Sequence, residues 1–245
     1  MAERGTAVVV GVSAPAPWNG VRFAPLGGVD NDATGMATLL KRQGFDVTLC
    51  TDPVDTSAAS VADLFINGVG DCGSGDLFIA YFAGHGYRVP ATGEAEPDSE
   101  VLMCADGPID DDITSIMRDR LRDNGSRLVM IVDACHADGF FPGPMIKAIE
   151  PPTEITIAPG PSVIWWSAAL EQETAFDCAD KGYLYGVFTH SLLKAWPTQR
   201  TSYRDLWRRL WAQSSDEFGS RGQTPLLRYE GPDELLLDAG AFCVD

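Results

Sequence analysis

The feature that most constrains the fold is an apolar run, 128–132, that leads directly into Asp133-Ala134-Cys135-His136. A continuous apolar run of this length is typical of a strand buried on both faces, as in a parallel sheet covered by helices. In open α/β sheets, ligands bind and reactions occur at the carboxyl ends of such strands. Cys135 therefore stands where a nucleophile would be placed.

The rest of the chain repeats this pattern, with apolar runs that alternate with helix-like segments. The predicted strands cover 6–12, 45–50, 76–82, 128–135, 162–168 and 224–229. The predicted helices cover 30–43, 57–69, 110–122, 186–196 and 202–214. This alternation predicts an α/β fold, with a mostly parallel six-stranded sheet and helices on both faces. Trp165 and Trp166 are consecutive on one predicted strand, so they would face opposite sides of the sheet, and at least one of them would lie in the core.

The charge balance narrows the classes of partner. Lys and Arg number 18 and Asp and Glu number 35, which gives a net charge of −17. A protein that tracks nucleic-acid phosphates needs a basic face, so direct nucleic-acid binding is not expected. An acidic surface instead favours basic partners, basic substrates or divalent cations.

The six cysteines form no CxxC pair and no tight Cys/His spacing, which argues against a zinc site. The sequence contains no recognisable signal peptide and no apolar span of 18 residues. We therefore expect reduced thiols, a cytoplasmic location and no membrane association.

Two predicted strand ends carry reactive side chains. His85 lies between two glycines after one buried strand, and Cys135 follows the next long one. A thiol nucleophile and an imidazole that protonates a leaving amine are the groups that a cysteine protease needs. Considered singly, Cys135 is also typical of a buried hydrophobe and His85 of a turn residue. The spacing alone leaves both interpretations open.

These residues carry a family resemblance. Phe82-Ala83-Gly84-His85-Gly86 and Asp133-Ala134-Cys135-His136 resemble the two signatures of the caspase-like cysteine peptidases, and most of all those of metacaspases and their bacterial relatives. The caspase histidine precedes the cysteine by about 50 residues, as it does here. Further matching segments, in the family's order, are 26–28, 31–33, 167–172, 186–189 and 223–225. The resemblance covers residues 6–228.

The resemblance implies a caspase-hemoglobinase fold and assigns roles to three residues. His85 would be the general acid/base, and Cys135 the nucleophile that forms a thioacyl-enzyme. The amides of Gly86 and Cys135 would form the oxyanion hole. This chemistry requires no cofactor. His136 lies next to the nucleophile but would point to the opposite face, so we assign it a structural role.

A P1 pocket for a basic side chain is the next implication. Caspases carry a glutamine two residues before the nucleophile, whereas this chain has Asp133, as metacaspases do. A carboxylate there favours a cationic P1 side chain and repels an anionic one. Asp32 and Ser167 match further positions that line the pocket. By the same resemblance, one of Trp165 and Trp166 would line the binding groove beside Ser167. Asp32 is equally explained as a first-turn carboxylate of a helix.

Calcium is a candidate ligand rather than a required one. Many metacaspases are calcium-activated, and hard oxygen ligands cluster in one segment of this chain. The candidate ligands are Asp98, Glu100, Asp111 and Asp112. Aspartates at a helix start are also ordinary capping residues, and the segment lacks EF-hand spacing.

The resemblance also implies one peptidase domain over 1–245. A large-subunit-like part would cover 1–140 and a small-subunit-like part 162–245, with a proline-rich connection at 141–161. This connection would either be cut by self-cleavage after Lys147 or act as a mobile loop that gates the groove. Metacaspases are mostly monomers, so we expect a monomer that acts on protein substrates. A separate regulatory chain would activate it, in a stress, defence or cell-death pathway of a bacterium. The alternative is a caspase-like binding module whose dyad is unused.

Overall fold

The computed structural model describes residues 4–89, 99–141, 156–197, 199–231 and 235–243. The first half of these residues forms β1 (Gly5–Gly11), α1 (Val29–Arg42), β2 (Asp46–Cys50), α2 (Ala58–Gly70), β3 (Leu77–Ala83), β4 (His85–Val89), β5 (Ser99–Met103), β6 (Pro108–Asp110), α3 (Asp112–Asn124) and β7 (Arg127–Asp133). The second half forms a 3-10 turn (Ala137–Phe140), β8 (Thr156–Ala158), β9 (Val163–Ser167), β10 (Asp177–Asp180), β11 (Tyr183–Gly186), α4 (Val187–Ala195), α5 (Tyr203–Arg221), β12 (Leu226–Glu230) and α6 (Leu235–Asp238).

The central sheet has the strand order β2-β1-β3-β7-β9-β12-β8. Neighbouring strands are parallel except β9 and β12, which are antiparallel. The prediction of a mostly parallel sheet is therefore confirmed, whereas the count of six strands is wrong. The seventh strand, β8, lies in the segment predicted as a connection. Three residues carry too little periodicity to predict a strand, and β8 is defined by its pairing with β12.

Helices cover both faces of this sheet, as the apolar runs predict. Every residue of β3 is buried, and its side chains alternate between two core layers. Ile79 and Tyr81 belong to one layer, with α1, α4 and α5, whereas Phe78 and Ala80 belong to the other, with α2 and α3. Such strands need burial on both faces, so the two layers together hold the central sheet in place.

The two adjacent tryptophans of β9 are divided between these layers. Trp166 packs against Phe188 and Trp207, and Trp165 lies near Phe141 in the opposite layer. Both side chains are at most 1% exposed. The expectation that one of them lines a binding groove is therefore wrong, because each face of β9 is covered by helices or loops.

A small antiparallel sheet follows β3 and carries the chain away from the central sheet. It is formed by β4, β5 and β6, in that order. Its first strand begins at His85. Since only Gly84 separates the end of β3 from the start of β4, the first residues of β4 remain at the carboxyl edge of the central sheet.

No helix in the described ranges is long and apolar enough to cross a membrane.

Candidate active site

The two sequence signatures meet at the carboxyl edge of the sheet. Strands β3 and β7 are parallel neighbours, and Ala83 at the end of β3 is in register with Asp133 at the end of β7. The amide of Gly84 donates to the carbonyl oxygen of Asp133 at 3.2 Å. His85 and Cys135 are therefore one and two residues beyond a single hydrogen-bonded junction.

The imidazole ring of His85 is held in place by the 13–26 loop, which carries none of the site residues predicted from the sequence. Its Nε2 donates to the carbonyl oxygen of Ala24 at 2.7 Å, and its ring lies 5.2 Å from the ring of Phe23 between centroids. A carbonyl can only accept, so Nε2 carries the proton in the neutral ring. Nδ1 is then the nitrogen that is free to exchange a proton with a substrate.

Gly86 brings the backbone of β4 against the nucleophile. A Cβ at this position would overlap the carbonyl oxygen of Cys135. No other residue type fits without moving one of the two strands, because the obstacle is backbone rather than a flexible side chain. The backbone of Gly86 therefore lies directly against the carbonyl group of Cys135.

Cys135 itself is half-buried, one residue beyond the buried Ala134. Its Sγ lies 3.9 Å from the carbonyl oxygen of Ala175. Burial is the largest of several effects that raise the pKa of this thiol above its ordinary value. At neutral pH the free protein therefore holds a thiol at this position, and a base must take the proton when a substrate arrives.

The next residue, His136, fixes the chain after the nucleophile. It adopts a left-handed conformation with φ 57°, which is uncommon outside glycine. Its amide donates to the carbonyl oxygen of Glu173 at 3.0 Å, and its Nδ1 donates to that of Glu171 at 2.6 Å. These contacts hold 169–175 alongside the nucleophile. The structural role assigned to His136 stays a prediction, to which this geometry adds a physical basis.

Asp133 is fixed by a buried chain of hydroxyl groups. Its Oδ2 accepts from the Thr189 amide at 3.0 Å and from Thr189 Oγ1 at 2.6 Å. The Thr189 hydroxyl donates its single proton to the carboxylate. Tyr81 Oη must therefore be the donor in its 2.8 Å hydrogen bond with Thr189 Oγ1. Burial raises the pKa of Asp133 to about 6, and the two Thr189 hydrogen bonds oppose the rise.

Asp32 is buried in the first turn of α1, and its carboxyl group lies near that of Asp133. Its Oδ2 accepts from the Gly186 amide at 2.7 Å, whereas its Oδ1 has no hydrogen-bond partner among the described residues. Burial, followed by the charge of Asp133, raises the pKa of Asp32 to about 9. A Cβ on Gly186 would touch the carboxylates of both aspartates, so this glycine separates the two acids. Asp32 is thus a first-turn carboxylate of α1 as well as a neighbour of Asp133, and its place in the P1 pocket stays a prediction.

Ser167 lies at the end of β9, next to β7. It is 1% exposed and in register with Val132, and its Oγ has no hydrogen-bond partner in the described part of the chain. Its place in the P1 pocket stays a prediction.

The proposed calcium ligands are not assembled by the described residues. Glu100 on β5 lies 3.4 Å from Arg88, while Asp111 and Asp112 stand at the start of α3. Asp98 lies outside the described residues. Within the described ranges, no group of three or more His, Cys, Asp or Glu side chains could hold a metal ion. The calcium prediction therefore has no ligand cluster to support it.

Sequence reasoning missed a third carboxylate at this edge. Asp177 begins β10 and pairs with Gly186 on β11. Burial raises the pKa of Asp177, and the charge of His85 lowers it. The alternation that would have predicted the β10–β11 hairpin is weak, although Lys181-Gly182 is a turn signal, and both residues have positive φ.

Comparison with known proteins places this geometry in a family. The family model described as "Caspase domain" of Peptidase_C14 matches residues 4–228. Metacaspase-4 of Arabidopsis thaliana is 32% identical over 151 residues, which is 55% of this chain and 34% of that protein. Metacaspase-9 of the same plant is 30% identical over 155 residues, 58% of this chain and 46% of that protein. The chain thus spans less than half the length of these curated relatives.

A solved structure shares the fold over nearly the whole chain. The crystal structure of a protein from Geobacter sulfurreducens aligns with a TM-score of 0.76 at 22% identity, and covers 98% of this chain and 99% of that chain. The family match, the relatives and the paired signatures agree with one another. The chain belongs to the caspase domain family of peptidases.

Proposed function

We propose that this chain is a cysteine endopeptidase in which Cys135 is the nucleophile and His85 the general acid/base. The observation that carries the proposal is the junction of β3 and β7, which puts both residues just beyond one hydrogen-bonded point of the sheet. Gly86 on β4 supports the proposal as well, because its backbone lies so close to the Cys135 carbonyl that no larger residue fits there.

The reaction follows from the groups at this junction. The Cys135 thiol attacks the scissile carbonyl while His85 Nδ1 takes its proton. The amides of Gly86 and Cys135 stabilise the oxyanion. The imidazolium of His85 then protonates the leaving amine, which breaks the C–N bond and leaves a thioacyl-enzyme. Water, deprotonated by the same imidazole, hydrolyses the thioester and restores the thiol.

We propose Arg or Lys as the P1 residue. Asp133 and Asp32 are both buried, and one oxygen of Asp32 has no partner among the described residues. In the free protein the raised pKa of about 9 keeps Asp32 protonated at neutral pH. A P1 cation between the two carboxyls would lower that pKa, so Asp32 would release its proton as the substrate binds. An anionic P1 side chain would instead be repelled by these carboxyl groups.

A comparison of peptides that differ only at P1 tests this proposal. Internally quenched peptides with Arg, Lys, Ala or Asp at P1 are incubated with the wild type and with Cys135→Ala. The Arg and Lys peptides should be cleaved most rapidly, after P1, and only by the wild type. Faster cleavage of the Asp peptide would contradict the specificity, and cleavage by the Cys135→Ala protein would contradict the assigned nucleophile.

A monomer is proposed on the basis of the sheet edge. Caspases dimerise through an edge strand, whereas here β12 pairs on both sides, with β9 and with β8. The three-residue strand β8 therefore forms the edge of the sheet on this side and covers Arg228–Glu230 of β12, so a second copy has only a short edge to pair with. Light scattering coupled to size exclusion should give about 26.4 kDa. A mass near twice that value, unchanged by dilution, would contradict the proposal.

The proposals on regulation rest on the family resemblance alone. They are activation by a separate regulatory chain, calcium dependence, and a role in bacterial stress, defence or cell death. Lys147, the suggested site of self-cleavage, lies outside the described residues. Activity measured with added calcium and with EGTA tests the calcium proposal, and equal rates would contradict it.

A further inference from the structure

Three aromatic side chains form a series of ring contacts that begins at His85. Phe23 contacts His85, Tyr87 lies edge-on to Phe23 at 5.8 Å between ring centroids, and Trp18 lies edge-on to Tyr87 at 6.0 Å. All three are partly exposed, and none belongs to either core layer of the sheet. We call Trp18, Phe23 and Tyr87 the aromatic wall.

The loop that carries Trp18 and Phe23 has a well-defined backbone conformation. Trp18 and Val21 exchange two backbone hydrogen bonds, of 3.0 and 2.9 Å, around Asn19-Gly20. Both turn residues have positive φ, 48° and 79°, as expected for the type I′ turn of a tight hairpin. The hairpin therefore presents Trp18, and the chain that leaves it presents Phe23, in a defined position.

The aromatic wall and the P1 pocket reach the reacting atoms from different elements. The P1 carboxylates come from α1 and β7, and the glycine between them ends β11. The aromatic wall comes from the 13–26 loop and from β4, where Tyr87 directly follows Gly86. His85 is shared, because Ala24 accepts its Nε2 proton and Phe23 lies against its ring.

The reaction then determines which part of a substrate meets these rings. The leaving amine must approach His85, since that imidazole protonates it. The first residue after the scissile bond, P1′, therefore lies on the His85 side, and P1 lies on the side of Asp133. Exposed faces of aromatic rings offer a P1′ side chain apolar surface and no counter-charge.

We propose that the aromatic wall is the P1′ subsite of this peptidase and that it selects a large apolar or aromatic residue. The inference rests on the proposed endopeptidase function and deepens it. The preferred cleavage site would then be a basic residue followed by a large apolar one. A small or acidic P1′ residue would leave the rings exposed to water or would bring an unpaired charge against them.

A purely structural role for these aromatics makes a different prediction. If the rings only anchor the loop that orients His85, their removal slows every substrate by the same factor. If they bind P1′, their removal slows substrates with a large apolar P1′ and spares the ratio among the others. The ratio of kcat/KM values between two substrates separates the two roles.

The test uses peptides with the same residues through P1 Arg and either Leu or Ser at P1′. We expect the wild type to prefer Leu by roughly tenfold, which corresponds to about 1.4 kcal/mol. Tyr87→Ala and Trp18→Ala, which alter rings not in contact with His85, should each reduce this ratio to below about threefold. The matched control is Val54→Ala, at an apolar residue that is 81% exposed and belongs to neither the aromatic wall nor the P1 pocket. It should keep the wild-type ratio.

Binding to an inactive protein separates this inference from the proposed function. The product peptides that begin with Leu or with Ser are titrated against Cys135→Ala by calorimetry. Tighter binding of the Leu peptide, weakened by Tyr87→Ala, is expected. An equal loss of activity on both substrates in the aromatic variants, or no discrimination by the wild type in either assay, would overturn the subsite. Absence of any cleavage together with selective binding would overturn the endopeptidase proposal and support the subsite.

Discussion

Two regions of the described part of the chain bring a cysteine and a histidine to neighbouring positions: the edge of the sheet with Cys135 and His85, and the β10–β11 hairpin with Cys178 and His190. In the second one, Cys178 on β10 lies 3.7 Å from His190 Nδ1 on α4, and His190 Nε2 lies 3.4 Å from Asp180. By composition and contact this is a Cys-His-Asp arrangement. Yet the signature residues of the caspase family fall on the other pair, Cys135 and His85.

The surroundings of the second pair hold both partners neutral. Burial, followed by the charge of Glu217, raises the pKa of Cys178 to about 11. Burial lowers the pKa of His190, and the nearby Lys194 adds to that effect. His190 also lies edge-on to Tyr185 at 4.8 Å between ring centroids. This pair serves to fasten the β10–β11 hairpin to α4.

The comparison shows that contact between the two side chains does not make a catalytic pair. The pKa of Cys135 is also raised by burial, so the ionisation of the thiol in the free protein does not distinguish the regions. The position in the fold does. Of these two cysteines, it is Cys135 that follows the end of a central parallel strand, by two residues, and that has the backbone of a glycine against its own carbonyl.

The largest expected difference is between the two cysteines. Cys135→Ala should reduce peptide hydrolysis by more than about a thousandfold, because no covalent intermediate can form. Cys178→Ala should keep activity within about twofold, since the thiol only fills space at the hairpin. Steady-state rates on an Arg peptide measure both. Equal losses in the two variants would remove the distinction between the regions.

The histidines should differ in the same direction by a smaller factor. His85→Ala should cost about a hundredfold or more in kcat, the usual contribution of a general acid/base. His190→Gln should change kcat by less than about threefold and act mainly on thermal stability, because it loosens the hairpin. A wild-type rate in His85→Ala would show that another group transfers the proton.

Glycine substitutions probe the backbone contact that only the Cys135 region has. Gly86→Ala should lower activity by tenfold or more and reduce the melting temperature, since its Cβ overlaps the Cys135 carbonyl. Gly219→Ala, in the α5 helix with no atom within 4 Å of its Cβ, should be neutral or stabilising by up to about 1 kcal/mol. Melting curves and rates for the two variants, measured side by side, check the contrast. An unperturbed Gly86→Ala would contradict the proposed geometry.

The smallest effect is on α4, where Thr189 serves the first region and its neighbour His190 the second. Asp133 must be ionised to bind a P1 cation, so kcat/KM for an Arg peptide should rise with pH through about 6. Thr189→Val removes a hydrogen bond to the ionised carboxylate and should move this rise upward by roughly one pH unit. Thr189→Ser keeps the hydroxyl and should restore the wild-type profile. Identical profiles for Val and Ser would show that the hydroxyl is irrelevant.

The parts of the site that could be predicted are those that mark strand ends. The apolar runs of β3 and β7 end where His85 and Cys135 begin, so the local pattern placed both at one edge. Asp133 was suggested by the family resemblance, which puts an acidic residue two positions before the nucleophile, and its role in the P1 pocket stays a prediction. The fold class was predictable for the same reason, since buried parallel strands are written as continuous apolar runs.

The parts that could not be predicted depend on contacts between distant segments. Thr189 binds Asp133 across 56 residues, and Ala24 accepts from His85 across 61. Neither contact leaves a periodic trace in the sequence. Asp32 was ambiguous because a first-turn carboxylate and a pocket carboxylate look alike until tertiary structure places Gly186 against it. Asn19-Gly20 is a hairpin signal that was available and would have drawn attention to Trp18 and Phe23.

Covalent trapping tests the central claim most directly. A peptidyl-arginine chloromethyl ketone alkylates the cysteine that serves a basic P1 pocket, and peptide mass spectrometry identifies the residue that carries the adduct. We expect one adduct per chain, on Cys135, formed faster than with the matching aspartyl reagent and slowed by Asp133→Asn. An adduct on Cys178, or faster labelling by the aspartyl reagent, would contradict the account.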